Sequence, residues 1–127
     1  MVTRLLVLAT LALLTAGCGS SLDLTTPLGP VQAVFDAARD DDPGNLTKLC
    51  DPEGEHDGDT RALCQAHPDD RKAWSQFRQW FSSARVSGRP RVEADKGEVD
   101  FVFGPQTNRA ETMQVVRRGD AWYLTSF

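Results

Sequence analysis

Three cysteine thiols offer the widest chemistry in this chain of 127 residues. A thiol can be acylated, oxidised to a disulfide or bound to a metal, and its place in the sequence indicates which. Cys18 stands directly behind an uncharged apolar segment that runs from Leu5 to Ala16, whereas Cys50 and Cys64 lie in the body of the chain. The positions therefore predict one reaction for Cys18 and a different one for the other two.

The segment before Cys18 has the features of an export signal. Arg4 and the α-amine give it a positive start, and its 12 apolar residues are too few to cross a membrane, which takes about 20. Because small residues precede Cys18, residues 1–17 resemble a bacterial lipoprotein signal peptide, although Thr15 departs from the usual Leu. The resemblance implies cleavage after residue 17 and attachment of acyl chains such as palmitate to Cys18.

Lipid on Cys18 would anchor the exported protein to the outer face of the cell membrane. Each buried CH₂ contributes about 0.8 kcal/mol, so two acyl chains hold a protein stably on a bilayer. The alternative is an ordinary secretory signal followed by an unrelated cysteine.

Composition limits the size and the partners of the mature protein. Removal of residues 1–17 leaves 110 residues, which is enough for one domain. Without Arg4, 13 of the 14 Lys and Arg residues remain against 18 Asp and Glu, a formal charge of −5. Nucleic acids and anionic headgroups attract basic segments, so the charge argues against a nucleic-acid partner and leaves the lipid as the expected membrane attachment.

Cys50 and Cys64 remain once Cys18 is assigned to lipid. An exported chain enters an oxidising compartment, where an even number of cysteines is typical of disulfides. A bridge between them would close a loop of about 15 residues and stabilise the fold by about 3 kcal/mol in the chain-entropy description. The sequence predicts this bridge, with two buried free thiols as the alternative.

Two histidines and an acidic run raise the question of a metal site. His56 lies within Asp51 to Asp59, and His67 follows Cys64 by three residues. Their spacing matches no zinc pattern, and the run lacks the alternation of a calcium-binding loop. We therefore expect a solvated loop, no metal and no cofactor.

The chain after Cys18 begins with a tether and continues with helices. Residues 18–29 are small, polar and rich in Gly and Pro, which is typical of a flexible tether, so we expect the domain over 30–127. Apolar spacing predicts a helix from Pro30 to Arg39 and shorter helices over 46–50 and 60–66.

The clearest helix begins at Pro68-Asp69-Asp70, and its bulky stripe needs a broad surface such as a sheet. Alternation beyond Ala84 then predicts four strands. The stripe consists of Trp74, Phe77, Trp80 and Phe81. The predicted strands are 85–94, which Gly88 and Pro90 interrupt, 99–103, 112–117 and 121–127, with a hairpin turn at 95–97. Short turns make sequential strands antiparallel, and helices followed by a meander indicate the α+β class.

This order resembles the cystatin-like, nuclear transport factor 2-like superfold of small bacterial envelope proteins. The resemblance covers residues 30–127 and rests on the element order and on the final hairpin, Arg117 to Leu124, in which Trp122 follows the turn. The insertion at Cys50 to Gly54 is a departure. The resemblance implies N-terminal helices packed on a curved four-stranded antiparallel sheet, which form a cone around a pocket.

Few residues suit catalysis inside such a cone. The later strands contain Asp100, Glu111 and Tyr123 but no histidine, and alternation places Asp100 opposite the side of Val99 and Phe101. We therefore expect no catalytic residue and no enzymatic activity.

The remaining motifs are expected to be structural. Arg118-Gly119-Asp120 matches an adhesion tripeptide, but a tight hairpin needs its glycine. Asn45-Leu46-Thr47 matches a glycosylation sequon and is expected to cap a helix. Trp74, Trp80 and Trp122 are expected in the core, while stacking of a Trp on an apolar ligand at the mouth of the cone stays open.

These observations together predict a non-catalytic lipoprotein of the cell envelope that binds a protein partner or a small apolar ligand. Two alternatives stay open. One is an isomerase-, cyclase- or hydratase-like enzyme of the same fold, and the other is a structural component of the envelope.

Overall fold

The computed structural model describes residues 22–127, so the predicted leader and the predicted lipid site at Cys18 lie outside the described residues. The helices of this range all precede its strands. They are α1 (Leu28–Asp40), α2 (Gly58–Gln65) and α3 (Arg71–Phe81), with a 3₁₀ turn at Leu46–Lys48 between α1 and α2. Within 22–127, no helix combines the length and the apolar character needed to span a membrane.

Five strands of the described range form one antiparallel sheet. They are β1 (Arg85–Val86), β2 (Arg91–Glu93), β3 (Lys96–Phe103), β4 (Arg109–Arg118) and β5 (Ala121–Ser126). β4 lies between β3 and β5, and β1 and β2 pair in succession along the other side of β3. The α+β class is confirmed, and the predicted first strand is divided in two at Gly88 and Pro90, as befits a sheet edge.

Local signals determine where the helices begin and end. The Asp57 carboxylate accepts a hydrogen bond from the backbone N–H of Thr60 at 2.8 Å, and that of Asp70 accepts one from Ala73 at 3.2 Å, so aspartates cap α2 and α3. α1 begins two residues before the predicted start at Pro30. It ends at Asp40, and the next residue, Asp41, caps it with a φ of 55°, the left-handed conformation that terminates helices.

The core lies between α1, α3 and the inner face of the sheet. The ring of Phe35 in α1 packs on Phe101 with 5.6 Å between centroids, and Phe81 in α3 packs on Phe103 at 5.4 Å. Phe35 and Phe81 also stack on each other at 6.3 Å. The apolar stripe of α3 therefore packs on the sheet, as its width predicted.

The hairpin between β2 and β3 differs from the prediction. It turns at Ala94-Asp95 rather than at residues 95–97, and Ala94 adopts a φ of 52°. Gly97 is instead a buried residue of β3, where a Cβ would lie 3.0 Å from Val115 and 3.5 Å from the ring of Trp122. This glycine makes room for the indole across the sheet, a contact that local turn patterns do not reveal.

Part of the segment expected as a tether lies against the domain. The Leu24 carbonyl accepts a hydrogen bond from the backbone N–H of Trp122 at 2.8 Å. Leu22, Leu24 and Leu28 are partly buried against the core. The described part of this segment therefore packs on the domain.

A covalent bridge lies beside the outer edge of β5. Cys50 and Cys64 form the predicted disulfide, with 6.2 Å between their Cα atoms. The segment that carries Cys50 bonds to β5, since Leu124 donates to the Leu49 carbonyl at 2.7 Å and Asp51 donates to the Leu124 carbonyl at 3.0 Å. The cysteine pair thus connects α2 to the segment that covers this edge.

Candidate functional site

The ionisable residues considered for catalysis do not meet in one place. Asp100 lies on the outer face of the sheet, where its carboxylate accepts hydrogen bonds from Arg91 at 2.9 Å and from the Thr112 hydroxyl at 2.6 Å. The Arg91 guanidinium, followed by Thr112, lowers the pKa of Asp100 to about 2. Glu111 is exposed and Tyr123 is half-buried beside β4. A paired, ionised carboxylate is poorly suited to proton transfer near neutral pH.

The two histidines have different surroundings. His67 is exposed, with 3.3 Å between its Nδ1 and the Asp69 carboxylate. His56 is half-buried, and its Nδ1 has no hydrogen-bond partner among the described residues. Across residues 22–127, no three His, Cys, Asp or Glu side chains gather as metal ligands would.

One carboxylate of the predicted solvated loop is buried, which corrects that expectation. The side chain of Asp51 is 0% exposed and accepts hydrogen bonds from Arg118 Nε at 3.2 Å and Nη2 at 2.8 Å. Arg118 also forms ion pairs with Glu53 at 2.9 Å and Glu55 at 3.1 Å. The hydrogen bond from Arg118 is the main cause that holds the pKa of Asp51 below its usual range. The partners lie 67 residues apart, so no local pattern indicates the pair.

The same pairing explains the tripeptide Arg118-Gly119-Asp120. Its arginine is engaged by the loop carboxylates, and Gly119 has a φ of 60° in the two-residue turn between β4 and β5. A positive φ at the first turn position is the requirement of a type II′ hairpin. The tripeptide therefore serves the turn.

Two clefts of the described surface have charged residues in their lining. One, of about 250 Å³, lies beside α1 and is bordered by several aspartates, of which Asp36 is engaged by Arg39 and Asp42 by the backbone N–H of Gly44. The other, of about 610 Å³, lies on the outer face of the sheet among charged residues of β2 and β3. Carboxylates that the protein already engages leave little for a ligand to bind in the first cleft.

A third cleft, here named the aromatic groove, has a mostly apolar lining. It has a volume of about 620 Å³ and lies between α2 and α3, over the end of β3. Its aromatic lining consists of Phe77, Trp80, Phe81, Phe103 and Phe127. Phe77, Phe81 and Phe103 are buried and form the floor, whereas Trp80 and Phe127 are half-buried and form the walls. Apolar surface that stays open to solvent is typical of a ligand or partner site.

Contacts from the turn between β3 and β4 hold Trp80 in place. The backbone N–H of Gly104 donates to the Trp80 carbonyl at 2.8 Å. A Cβ on Gly104, whose φ is 94°, would lie 3.3 Å from the indole, so glycine permits this approach. Phe103 packs on the indole at 5.7 Å between centroids, and the Arg109 guanidinium lies 5.1 Å from the ring centroid. The wall of the groove is therefore fixed by the fold.

The ionisable residues of the groove lie at its rim. Asp59, His67 and Asp70 contribute to the lining and are exposed. Asp59 is in the first turn of α2 and Asp70 caps α3, so both helices begin at the rim. The groove can thus surround an apolar body while polar contacts are made at the opening.

Sequence reasoning found only part of this site. It placed Trp80 on the stripe of α3 and left open a Trp at the mouth of the cone, whereas Trp74 and Trp122 are buried as expected, at 6% and 5% exposure. Trp74, Phe77 and Phe81 follow core spacing, and Trp80 is displaced around the helix by roughly 60° from Phe77, the nearest of the three. That displacement is the signal that could have separated a groove residue from the core residues.

The aromatic groove combines a lining that water solvates poorly with a size suited to a small molecule, since such sites measure about 300–1,000 Å³. The cleft beside α1 is smaller than this range, and the cleft on the outer face of the sheet has a mostly polar lining. Compared with known proteins, the chain matches no family model, no curated protein and no solved structure.

Proposed function

We propose that this protein is an exported lipoprotein of the bacterial cell envelope, anchored through Cys18 to the outer face of the cell membrane. Its domain binds a small apolar ligand in the aromatic groove and does not transform it. The groove carries this proposal, because its aromatic rings leave a cleft of about 620 Å³ open to solvent. Burial of apolar ligand surface against these rings would supply the affinity.

The disulfide supports the export part of the proposal. Cys50 and Cys64 are bridged, and such bridges persist in oxidising compartments outside the cytoplasm. Cys18 follows a segment with the length and charge of an export signal. The two observations come from different parts of the chain and agree on the compartment.

The layered arrangement supports a cystatin-like cone. α1 and α3 cover the inner face of an antiparallel meander, with Phe35 and Phe81 packed against β3. The aromatic groove opens where α2 and α3 meet the end of that strand. In this proposal the groove is the mouth of the cone that the resemblance implies.

The proposed anchor would keep the groove close to the lipid. Leu22 already packs on the domain, so four residue steps separate it from Cys18. Such a connection spans at most about 14 Å when fully extended. An apolar ligand could therefore exchange between the bilayer and the domain over a short path.

The position of the ionisable groups favours binding over a reaction. General acids and bases are usually tuned by burial close to the reacting atoms. In the groove, Asp59, His67 and Asp70 are exposed at the rim, while the floor consists of phenylalanine rings. This arrangement supports a binding module over an isomerase-, cyclase- or hydratase-like enzyme.

A neutral fluorescent probe tests the groove directly. We expect the full chain with Cys18→Ala, which carries no acyl anchor, to enhance the fluorescence of N-phenyl-1-naphthylamine as the probe enters the groove. Ala73→Phe places a ring in the groove from an exposed lining position and should abolish the enhancement. Ser75→Phe adds the same ring at an exposed position of α3 outside the lining and should leave it unchanged.

The outcomes separate a ligand site from other roles of this surface. Enhancement lost in Ala73→Phe but kept in Ser75→Phe supports ligand binding in the groove. If the probe does not bind, or binds equally to both variants, the proposed function is wrong and a protein partner becomes the better hypothesis.

The anchor has its own test in cells. The wild-type protein should partition into the detergent phase, and Cys18→Ala should move it to the aqueous phase, because the acyl chains supply the membrane affinity. If Cys18→Ala still partitions with detergent, the lipid assignment is wrong.

A further inference from the structure

We propose that the ligand of the aromatic groove is an organic cation, that is, an apolar chain with a positively charged amine or quaternary ammonium head. This inference rests on the proposed binding function and names the chemical class of the ligand. It combines the rings of the groove with two carboxylates at its rim, Asp59 and Asp70.

The rings provide the first half of the recognition. Aromatic faces attract cations through their quadrupole, and groups of rings are used to bind quaternary ammonium ligands. Trp80 and Phe127 are half-buried walls with surface open to a ligand, and Phe103 on the floor packs on the Trp80 ring. Among the side chains of Trp, Tyr and Phe, the indole of Trp attracts a cation most strongly.

The two carboxylates provide the second half. Among residues 22–127, neither Asp59 nor Asp70 forms an ion pair. Asp70 accepts one hydrogen bond from the Ala73 backbone through Oδ1, which leaves its other oxygen for a ligand. Most other aspartates of this fold are engaged by arginine or by backbone groups. The Asp59 carboxylate and the second oxygen of Asp70 therefore favour a cationic head over an anionic one beside this apolar cleft.

The neighbouring cation lies outside the lining of the groove. Arg109 stacks on the Trp80 ring and is not part of the groove lining. His67 belongs to the lining, but its Nδ1 lies 3.3 Å from the Asp69 carboxylate. The lining itself therefore presents two carboxylates and no lysine or arginine.

Three probes with one octyl chain isolate the effect of the head group. The full chain with Cys18→Ala is titrated calorimetrically with octyltrimethylammonium, 1-octanol and octanoate. We expect the cation to bind about fivefold more tightly than the neutral alcohol, and octanoate to bind most weakly.

Substitutions at the rim test whether the carboxylates cause the preference. Asp59→Asn combined with Asp70→Asn should reduce the ratio of the affinity for octyltrimethylammonium to the affinity for 1-octanol, because only the rings then attract the cation. The affinity for 1-octanol should stay as before. Asparagine caps helices as well as aspartate does, so α3 should stay intact. Asp120→Asn removes the same charge in the distant hairpin and should preserve the ratio.

The results distinguish this inference from the function on which it rests. Equal affinity for all three probes, or tightest binding of octanoate, overturns the cationic ligand but leaves an apolar-ligand site. A ratio that survives the double substitution also overturns the role of the carboxylates. If none of the probes binds, the proposed function itself fails.

Discussion

The two edges of the sheet are protected in different ways. Backbone groups of Leu24, Leu49, Asp51 and Asp57 bond to β5 at distances from 2.7 to 3.0 Å, so segments distant in sequence cover that edge. At the opposite edge, no segment of the described chain forms backbone hydrogen bonds with the outer side of β1 or β2. Short strands, Pro90 and exposed arginines protect the latter edge instead, as is common for open edges.

Each edge also carries a carboxylate–arginine pair, and the pairs differ in burial. Asp51 and Arg118 approach to 2.8 Å with side chains 0% and 28% exposed. Asp100 and Arg91 approach to 2.5 Å with side chains 38% and 54% exposed. An ion pair in water contributes little to stability, whereas breaking a buried pair leaves one charge buried without a partner or solvent. We therefore expect access of water, rather than bond length, to decide how much the fold depends on a pair.

Removal of each arginine tests this comparison with the largest expected effect. Arg118→Ala should lower the Tm by about 15 °C, because the Asp51 carboxylate stays buried without its partner. Arg91→Ala, the matched control at the open edge, should lower the Tm by less than about 4 °C. Thermal unfolding followed by circular dichroism measures both.

A second substitution sharpens the cause. Asp51→Asn should recover part of the loss in Arg118→Ala, since no unpaired charge then remains buried. Equal losses in the two arginine variants would contradict the role of burial.

Removal of the disulfide tests the covered edge without changing a charge. Cys50→Ala with Cys64→Ala should lower the free energy of unfolding by about 3 kcal/mol, because the unfolded chain regains the freedom of the closed loop. Urea unfolding measures this loss. Hydrogen exchange should accelerate at the Asp51 and Leu124 amides, which bond across that edge, but not at Ser87, which bonds to Asp100 at the other edge. Uniform acceleration at both edges would show that the bridge acts on the whole fold.

Acid should weaken the covered edge. The folded pKa of Asp51 is lowered, so its contribution to stability is present above the unfolded pKa of about 3.9 and is lost as the pH falls through the folded value. We expect the Tm of the wild type to fall below about pH 4, and that of Asp51→Asn to fall less. Asp100→Asn is the control at the exposed pair. The pKa of Asp100 is also lowered, to about 2, but solvent screens this pair, so its loss should change the pH profile less. If the dependence of the Tm on pH changes as much in Asp100→Asn as in Asp51→Asn, the two edges do not differ in their sensitivity to acid.

The smallest expected effect lies in the hairpin of the open edge. Ala94 has a φ of 52°, a conformation that glycine adopts without strain. Ala94→Gly should therefore raise the free energy of unfolding by about 0.5 kcal/mol, measured by urea denaturation. Gly97→Ala, three residues later in β3, should lower it, because the new Cβ would press on Val115 and Trp122. A loss of stability in Ala94→Gly would contradict strain at this turn.

Features that depend on near neighbours were predictable. The stripe of α3, the alternation of β3 and the helical order all follow from spacing along the chain, and the α+β class follows from them. The turn before β3 was misplaced because Gly97 suits a turn locally, while its place in the strand depends on Trp122 across the sheet. Asp51 was expected in solvent because its partner Arg118 is distant in sequence.

The aromatic groove shows the same limit at the candidate site. Trp80 stood out in the sequence, but Phe103 and Phe127 looked like ordinary strand residues. They line one cleft because β3 and the end of the chain meet between α2 and α3. No spacing along the chain encodes that meeting.

The sequence by itself determined the order of helices and strands and the pairing of Cys50 with Cys64, and it predicts the anchor at Cys18, because each depends on short-range pattern or on counting thiols. Only the tertiary structure decided which ion pair is buried and which aromatic residues stay open to a ligand. Burial is a property of the surfaces that close over a side chain, and those surfaces come from distant parts of the chain.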